Sequence, residues 1–146
     1  MEITCSEAKK EDAETLYLLC KSLIDEYEDT RAIDYGRVLA WVKRKIDLSI
    51  TEYVAVLADG ELAGYYRFGK NADGEYELDD LYVLPAFQGR GIGTAIIRKC
   101  CASVDAPVML YVFIKNQRAV ALYERLGFRV EKTVGNSRYI MRRLPR

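Results

Sequence analysis

The segment from Leu81 to Thr94 reads LYVLPAFQGRGIGT and places three glycines at alternate positions. The apolar run before Pro85 predicts a strand, and the residues from about Gly91 to Ala102 predict a helix. Glycine adopts positive φ and allows a ligand to approach the backbone closely. The first amides of a helix have no internal partner and carry a partial positive charge. The segment therefore predicts a strand, loop and helix that cradle a phosphate or pyrophosphate.

Two other phosphate-binding loops fit this segment less well. A Walker A loop needs G-x-x-x-x-G-K-[ST], and no lysine follows any of these glycines. A dinucleotide fingerprint needs Gly or Ala where Thr94 stands, and it follows the first strand of a βαβ unit. Taken alone, the three glycines are also compatible with a simple tight bend.

A second motif follows about 22 residues later and reads NQRAVALYERLGF over residues 116–128. In a helix, Asn116, Ala119 and Tyr123 stand at positions i, i+3 and i+7 and share one face. A small residue between two polar residues leaves room for a ligand on that face. By itself, Tyr123 fits a core aromatic residue at helical spacing equally well.

Both motifs together resemble those of the GNAT family of N-acetyltransferases. Gln88-x-x-Gly91-x-Gly93 fits the family pattern [QR]-x-x-G-x-[GA], and the later segment fits N-x-x-A-x-x-x-Y-x-x-x-G-F. The resemblance implies an α/β, GNAT-like acyl-CoA N-acyltransferase fold in a single domain over residues 1–146. It implies a mixed, mostly antiparallel sheet flanked by helices. It also implies direct transfer of an acetyl group from acetyl-CoA to a primary amine within a ternary complex.

The rest of the chain predicts elements that suit an α/β domain. Apolar residues at three- and four-residue steps indicate two N-terminal helices. Asp59-Gly60 is a strong hairpin signal, and a second turn is expected at Asn71–Gly74. Helices are expected around residues 16–27, 38–46, 91–102 and 116–126, and strands at 53–58, 62–68, 76–84, 108–114, 128–133 and 138–144.

The family resemblance implies which residues hold the cofactor. Backbone groups of Leu81 and Val83 would bond the pantetheine arm, which lies in a gap between two splayed strands. The N–H of Val83 would polarise the thioester carbonyl, and Asn116 would contact the cofactor arm. The pyrophosphate would lie on the loop residues Gln88, Gly89, Arg90, Gly91, Gly93 and Thr94.

The resemblance also suggests catalytic residues. Tyr123 matches the position of the tyrosine that stabilises or protonates the leaving thiolate. Glu77 stands eleven residues before Gln88, where several family members carry a glutamate that acts as base through water. Asp79 or a water chain are alternatives, and Glu77 also fits a salt-bridged carboxylate. Other members place a glutamate on the following strand, where Tyr111 stands here.

Composition excludes several classes of mechanism. The chain has 22 basic and 22 acidic side chains and no histidine, so a Ser-His-Asp mechanism lacks its base. Its four cysteines form no C-x-x-C pair, and no metal site is expected. The zero net charge does not suggest nucleic-acid binding. We expect a cytoplasmic protein, because the chain has neither a signal peptide nor an apolar run long enough for a membrane helix.

The acceptor is expected to bind where the two N-terminal helices meet the last hairpin. Asp25, Glu26, Glu28 and Asp29 lie in that region and would attract a cationic amine, although they also fit a solvated helix end. A polyamine, an aminoglycoside, a lysine side chain or a protein N-terminus would qualify. The alternatives are a non-catalytic acyl-CoA-binding module and a nucleotide-binding domain. A homodimer is a candidate assembly, because relatives are often dimers.

Overall fold

The computed structural model describes residues 1–145 and contains a seven-stranded sheet in the order β1-β2-β3-β4-β5-β7-β6. The strands are β1 (Ile3–Glu7), β2 (Tyr53–Ala58), β3 (Glu61–Lys70), β4 (Tyr76–Val83), β5 (Val108–Phe113), β6 (Arg129–Val134) and β7 (Arg138–Arg143). The helices are α1 (Ala13–Tyr27), α2 (Tyr35–Ser49), α3 (Ile92–Ala102) and α4 (Gln117–Arg125). All neighbouring strands are antiparallel except β4 and β5, which are parallel. The predicted α/β class with a mixed, mostly antiparallel sheet is confirmed.

Strand β1 is absent from the elements expected from the sequence. It pairs antiparallel with β2, from Ile3 opposite Ala58 to Glu7 opposite Val54. Only Ile3 is partly buried, so the strand shows no alternation of apolar and polar residues. Its partner lies about fifty residues away in the chain, and local sequence gives no signal for such a pairing.

Apolar clusters lie on both faces of the sheet. Helices α1 and α2 cover one face, where Leu16 and Val42 pack with Tyr65 of β3. Helices α3 and α4 cover the other face, where Ile97 packs in a cluster that includes Phe128. No helix within residues 1–145 combines the length and the apolar character needed to cross a membrane.

Strand β4 contains a bulge at Asp80. Arg67 of β3 stands opposite Asp79 and Tyr66 stands opposite Leu81, so Asp80 has no counterpart. Asp80 has φ of 59°, a left-handed conformation that costs about 1–3 kcal/mol in a residue other than glycine. In an uninterrupted strand, Asp80 and Asp79 would point to opposite faces.

Strands β4 and β5 form the gap of the sheet. They pair at only two positions, Tyr76 with Val108 and Glu77 with Met109. Beyond these pairs, β4 continues to Val83 and β5 continues to Phe113, but the two strands no longer pair with each other. The two strands therefore diverge towards their C-terminal ends and open the sheet between them.

Candidate active site

A continuous cleft of about 1540 Å³ includes the gap between β4 and β5. Its volume exceeds the roughly 300–1,000 Å³ of common small-molecule sites. Ten of the eleven site residues expected from the sequence line it: Glu77, Leu81, Val83, Gln88, Gly89, Gly91, Gly93, Thr94, Asn116 and Tyr123. Arg90 is the one that does not.

The backbone of Val83 faces the gap. The N–H of the next residue, Leu84, donates to the carbonyl of Ala63 on β3 at 2.8 Å. Because successive residues of an extended strand point their N–H groups to opposite edges, the N–H of Val83 points away from β3. The carbonyl of Val83 accepts from Nε2 of Gln88 at 3.0 Å, which joins the glycine loop to the end of β4.

The glycine loop holds its shape through two residues with positive φ. Gly89 has φ of 77° and Gly91 has φ of 82°, a region that other residues rarely adopt. Gly91 is the N-cap of α3, and its carbonyl accepts from the N–H of Ala95. The first amides of this helix lack partners within it, and Gly91, Gly93 and Thr94 line the cleft, as an anion cradle requires.

Arg118 of α4 brings a second positive charge to the loop, which itself contains Arg90. The guanidinium of Arg90 lies over the ring of Phe87 at 5.4 Å from its centroid, outside the cleft lining. Arg118 lines the cleft from α4, and its Nη2 lies 3.9 Å from where a Cβ of Gly89 would stand. The sequence placed Arg118 in the second motif but gave no indication of its reach to the loop.

Asn116 caps α4 instead of lying within it. Its side-chain oxygen accepts from the N–H of Ala119 at 3.3 Å, which satisfies one of the free amides of the helix start. The side-chain amide nitrogen has no hydrogen-bond partner among the residues that the structure describes. Asn116 therefore has one group committed to the helix and one left for a ligand in the cleft.

Tyr123 lies on the buried face of α4. Its ring packs edge-on against Phe128, with 5.7 Å between the centroids. Burial, together with the Asp80 carboxylate, raises the pKa of the Tyr123 hydroxyl to about 12. The hydroxyl is therefore protonated across the neutral range and is available as a hydrogen-bond donor.

Glu77 lies at the closed end of the gap, where β4 still pairs with β5. Its Oε1 accepts from Nδ2 of Asn71 at 3.2 Å. Burial raises the pKa of the Glu77 carboxyl, and the nearby carboxylate of Asp79 raises it further. A carboxyl with a raised pKa accepts protons more readily than an ordinary glutamate, which suits a general base.

The bulge brings Asp79 and Asp80 to one ammonium group. Lys45 of α2 lies 3.0 Å from Asp79 and 3.5 Å from Asp80. Arg67 of β3 also pairs with Asp79 at 3.0 Å. The two carboxylates thus have cationic partners from α2 and β3, and Arg67 is shared with Glu52 at 3.2 Å. The sequence marked Asp79 as a candidate base, but it gave no signal for the partner on α2.

The expected acceptor region is formed by α1 and the hairpin between β6 and β7. Ser137 donates to Glu28 at 3.1 Å, and Tyr27 stacks on Phe113 at the end of β5. Asp25 points away from the cleft and pairs with Lys21 at 2.7 Å. The acidic residues of this segment that line the cleft are Glu26, Glu28 and Asp29.

Tyr111 of β5 and Arg138 of β7 line the same cleft. Tyr111 occupies the position on β5 where other family members were expected to place a glutamate. It lines the cleft and remains 43% exposed, with the guanidinium of Arg138 at 5.3 Å from its ring centroid. The site therefore offers an aromatic surface and a cation where a second carboxylate would stand.

Comparison with known proteins places this fold and cleft in a family. The model of the acetyltransferase (GNAT) family matches residues 12–128, so this chain belongs to the GNAT family. The membership expected from the two motifs is confirmed.

Two curated relatives match smaller parts of the chain. N-alpha-acetyltransferase RimI of Mycobacterium tuberculosis is 36% identical over 102 residues, covering 62% of this chain and 65% of that protein. Mycothiol acetyltransferase of Streptomyces avermitilis is 40% identical over 80 residues, covering 51% of this chain and 26% of that protein. The chain thus spans less than two-thirds of the length of each.

Solved structures share the fold over nearly the whole chain. PaiA N-acetyltransferase from Thermoplasma acidophilum, in complex with coenzyme A, superposes with a TM-score of 0.72 at 23% identity and covers 99% of both chains. Ard1 from Thermoplasma volcanium gives a TM-score of 0.72 at 18% identity, again over 99% of both chains. At these identities the likeness establishes the fold.

Proposed function

We propose that this chain is an acetyl-CoA-dependent N-acetyltransferase that moves the acetyl group directly to a primary amine in a ternary complex. The observation that carries the proposal is the gap between β4 and β5, which joins the glycine loop to the Tyr123 hydroxyl in one cleft. The loop amides and Arg118 suit the phosphates of the cofactor. The free backbone edge at Leu81 and Val83 suits its amide-bearing arm.

The Val83 N–H is our candidate for stabilising the reacting carbonyl. Attack of an amine on a thioester places negative charge on the carbonyl oxygen. A donor that already points at that position stabilises the charge without further reorganisation. The N–H of Val83 faces the gap, and the carbonyl of the same residue is held by Gln88.

Glu77 is our candidate for the base. An amine with a pKa of about 10.4 costs about 4.6 kcal/mol to deprotonate at pH 7. A carboxylate that accepts this proton, directly or through water, lowers the barrier as the amine attacks. Burial and Asp80 raise the pKa of Asp79 as well, but its carboxylate is engaged by Lys45 and Arg67 at 3.0 Å each, whereas Glu77 accepts only from the neutral amide of Asn71.

The acceptor is a cationic amine in this proposal. Glu26, Glu28 and Asp29 line one end of the cleft and attract positive charge. The relative named N-alpha-acetyltransferase supports including peptide N-termini among the candidates. Polyamines, aminoglycosides and lysine side chains also carry positively charged amines and remain candidate acceptors.

Calorimetric titration with acetyl-CoA tests the cofactor half of the proposal. We expect binding in the micromolar range. Mass spectrometry of acetyl-CoA with a panel of amines then tests transfer, and we expect an acetylated product that depends on the enzyme. Binding without turnover on any amine would favour an acyl-CoA-binding module. The lack of binding at millimolar acetyl-CoA would contradict the cofactor site and the enzyme assignment together.

Substitution of Gly91 tests the loop. Valine at φ of 82° is strained by about 1–3 kcal/mol, so the free loop is expected to relax to another shape. Because binding must restore the original shape, Gly91→Val is expected to raise the Kd for acetyl-CoA by about tenfold. Titration calorimetry measures the change.

Gly74→Val is the matched control for this loop variant. Gly74 has φ of 78° in the turn between β3 and β4, outside the cleft. The same strain there is expected to lower stability and leave the Kd for acetyl-CoA unchanged. Equal Kd values for the Gly91 variant and the original protein would remove the loop from the binding site.

A further inference from the structure

The bulge of β4 is anchored through the side chain of its extra residue, Asp80. The Tyr53 hydroxyl donates to Oδ2 of Asp80 at 2.6 Å, and the Tyr82 hydroxyl donates to Oδ1 at 3.0 Å. The Nζ of Lys45 lies 3.5 Å from Oδ2. These anchors belong to α2, β2 and β4, so groups from three elements hold the strained residue in place.

The protonation states of the anchors suit this arrangement. Burial, followed by the Asp80 carboxylate, raises the pKa of both Tyr53 and Tyr82, so both hydroxyls keep their protons and donate. Burial lowers the pKa of the Lys45 ammonium, but Asp80 and Asp79 raise it by more, so its pKa stands above the ordinary value. Lys45 therefore stays charged beside the two carboxylates.

The bulge determines whether each backbone N–H group at the end of β4 points towards β3 or towards the gap. An extra residue in one strand turns every later residue to the edge opposite that of an uninterrupted strand. Beyond Asp80, the N–H of Leu84 faces β3 and that of Val83 faces the gap. Without the bulge, the N–H of Val83 would face β3 and be lost to a ligand in the gap.

The neighbouring strand fixes the same segment from its other side. Gly64 of β3 stands opposite Val83, and a Cβ at Gly64 would overlap the carbonyl oxygen of Tyr82. The backbones of β3 and β4 therefore approach as closely as glycine permits. The end of β4 is held by this contact on one side and by the anchors of Asp80 on the other.

We propose that Asp80 is a positioning residue whose anchored carboxylate locks the bulge of β4 and so aims the Val83 N–H into the gap. The inference rests on the proposed function, because the direction of the Val83 N–H affects turnover only if this N–H polarises a thioester. Asp80 acts through the backbone and needs no contact with the reacting atoms.

Three substitutions at Asp80 separate the side chain from the backbone. Asparagine tolerates positive φ, accepts from one tyrosine through its amide oxygen and can donate from its amide nitrogen to the hydroxyl oxygen of the other, so Asp80→Asn is expected to keep kcat within about threefold. Asp80→Gly permits the backbone conformation but has no anchor, and we expect a fall in kcat of about tenfold. Asp80→Ala lacks the anchor and disfavours positive φ, so a fall of about thirtyfold is expected. Tyr53→Phe, which removes one anchor, is expected to lower kcat by about threefold.

Asp59→Ala is the matched control. Asp59 has φ of 50° in the turn between β2 and β3, away from the cleft, and its carboxylate accepts from the N–H of Glu2. This variant bears the same backbone strain and is expected to leave kcat and the amine KM unchanged. If Asp59→Ala lost as much kcat as the Asp80 variants, the effect of those variants would be explained by general destabilisation, and the proposal would be overturned.

A readout independent of turnover separates this inference from the proposed function. The amide chemical shift of Val83 in the cofactor-free protein is expected to move in the glycine and alanine variants and to stay near its original value in the asparagine variant. An unmoved Val83 signal in the alanine variant overturns the lock, even if the protein proves to be an acetyltransferase. A moved signal in a protein that transfers no acetyl group would support the lock and contradict the function.

The steady-state constants distinguish the remaining roles. An increase in the amine KM at unchanged kcat would make Asp80 a binding group for the acceptor and overturn the proposal. Equal losses in the asparagine and alanine variants would assign the effect to the charge of Asp80 and not to its anchoring. Full kcat in the glycine variant would show that backbone conformation suffices without the carboxylate.

Discussion

Tyr123→Phe is expected to lower kcat by between about 10- and 150-fold, because a hydrogen bond to a charged group contributes about 1.5–3 kcal/mol. With a pKa of about 12, the Tyr123 hydroxyl is a weaker acid than an alkyl thiol of pKa about 8.5. Complete transfer of its proton to the leaving thiolate therefore runs uphill. We expect the hydroxyl to stabilise the developing thiolate by a hydrogen bond, and phenylalanine keeps the packing on Phe128 without that bond.

Measurement of kcat by mass spectrometry, with the Kd for acetyl-CoA from calorimetry, checks this expectation. The Kd is expected to stay within about twofold, because the hydrogen bond strengthens only as the thiolate develops. Tyr139→Phe is a suitable control, since Tyr139 of β7 packs on the same core as Tyr123 but does not line the cleft. Undiminished turnover in the Tyr123 variant would remove this residue from the mechanism.

Glu77→Gln is expected to lower kcat/KM by about 100-fold at pH 7, the lower end of what a positioned base contributes. The deficit is expected to shrink towards pH 9. Over that interval the neutral fraction of an amine with a pKa of about 10.4 rises about 100-fold, so less of the rate depends on a protein base. The pH profile of kcat/KM for the original and variant enzymes provides the measurement.

The shape of the profile gives a second check on Glu77. A base acts in its deprotonated form, so activity rises as pH increases through its pKa. Because burial and Asp79 raise the pKa of Glu77, this rise is expected above the ordinary glutamate range and is expected to vanish in the glutamine variant. An equal rate deficit at pH 7 and pH 9 would rule out base catalysis by Glu77. Glu75→Gln is the control, because Glu75 pairs with Arg142 outside the cleft.

Local sequence patterns predicted most elements of the fold because periodicity and turn chemistry are local signals. The Asp59-Gly60 turn adopts positive φ at both residues, as a two-residue hairpin requires. Gly127 ends α4 with φ of 97°. Strand β1 was missed because an exposed edge strand has no alternation and its partner is distant in sequence.

The site was predicted where backbone chemistry determines it, and less well where side-chain reach determines it. The glycine loop and the helix of Tyr123 follow from residue types at fixed spacing. Arg90 and Arg118 have the same chemistry, and only the packing of α4 against the loop decides which one lines the cleft. The residue type at position 80 does not specify the bulge either, since aspartate tolerates positive φ but is not restricted to it.

The gap in the sheet would couple the folding of this chain to the concentration of any ligand that fills it. Four strands on one side and three on the other meet through only two paired positions. A ligand that fills the gap and binds the folded chain alone adds about 2.7 kcal/mol to the free energy of unfolding at a hundredfold excess over its Kd. Because proteolysis draws on the unfolded population, starvation for that ligand would shorten the lifetime of the protein. The abundance of this protein would then report the supply of that ligand.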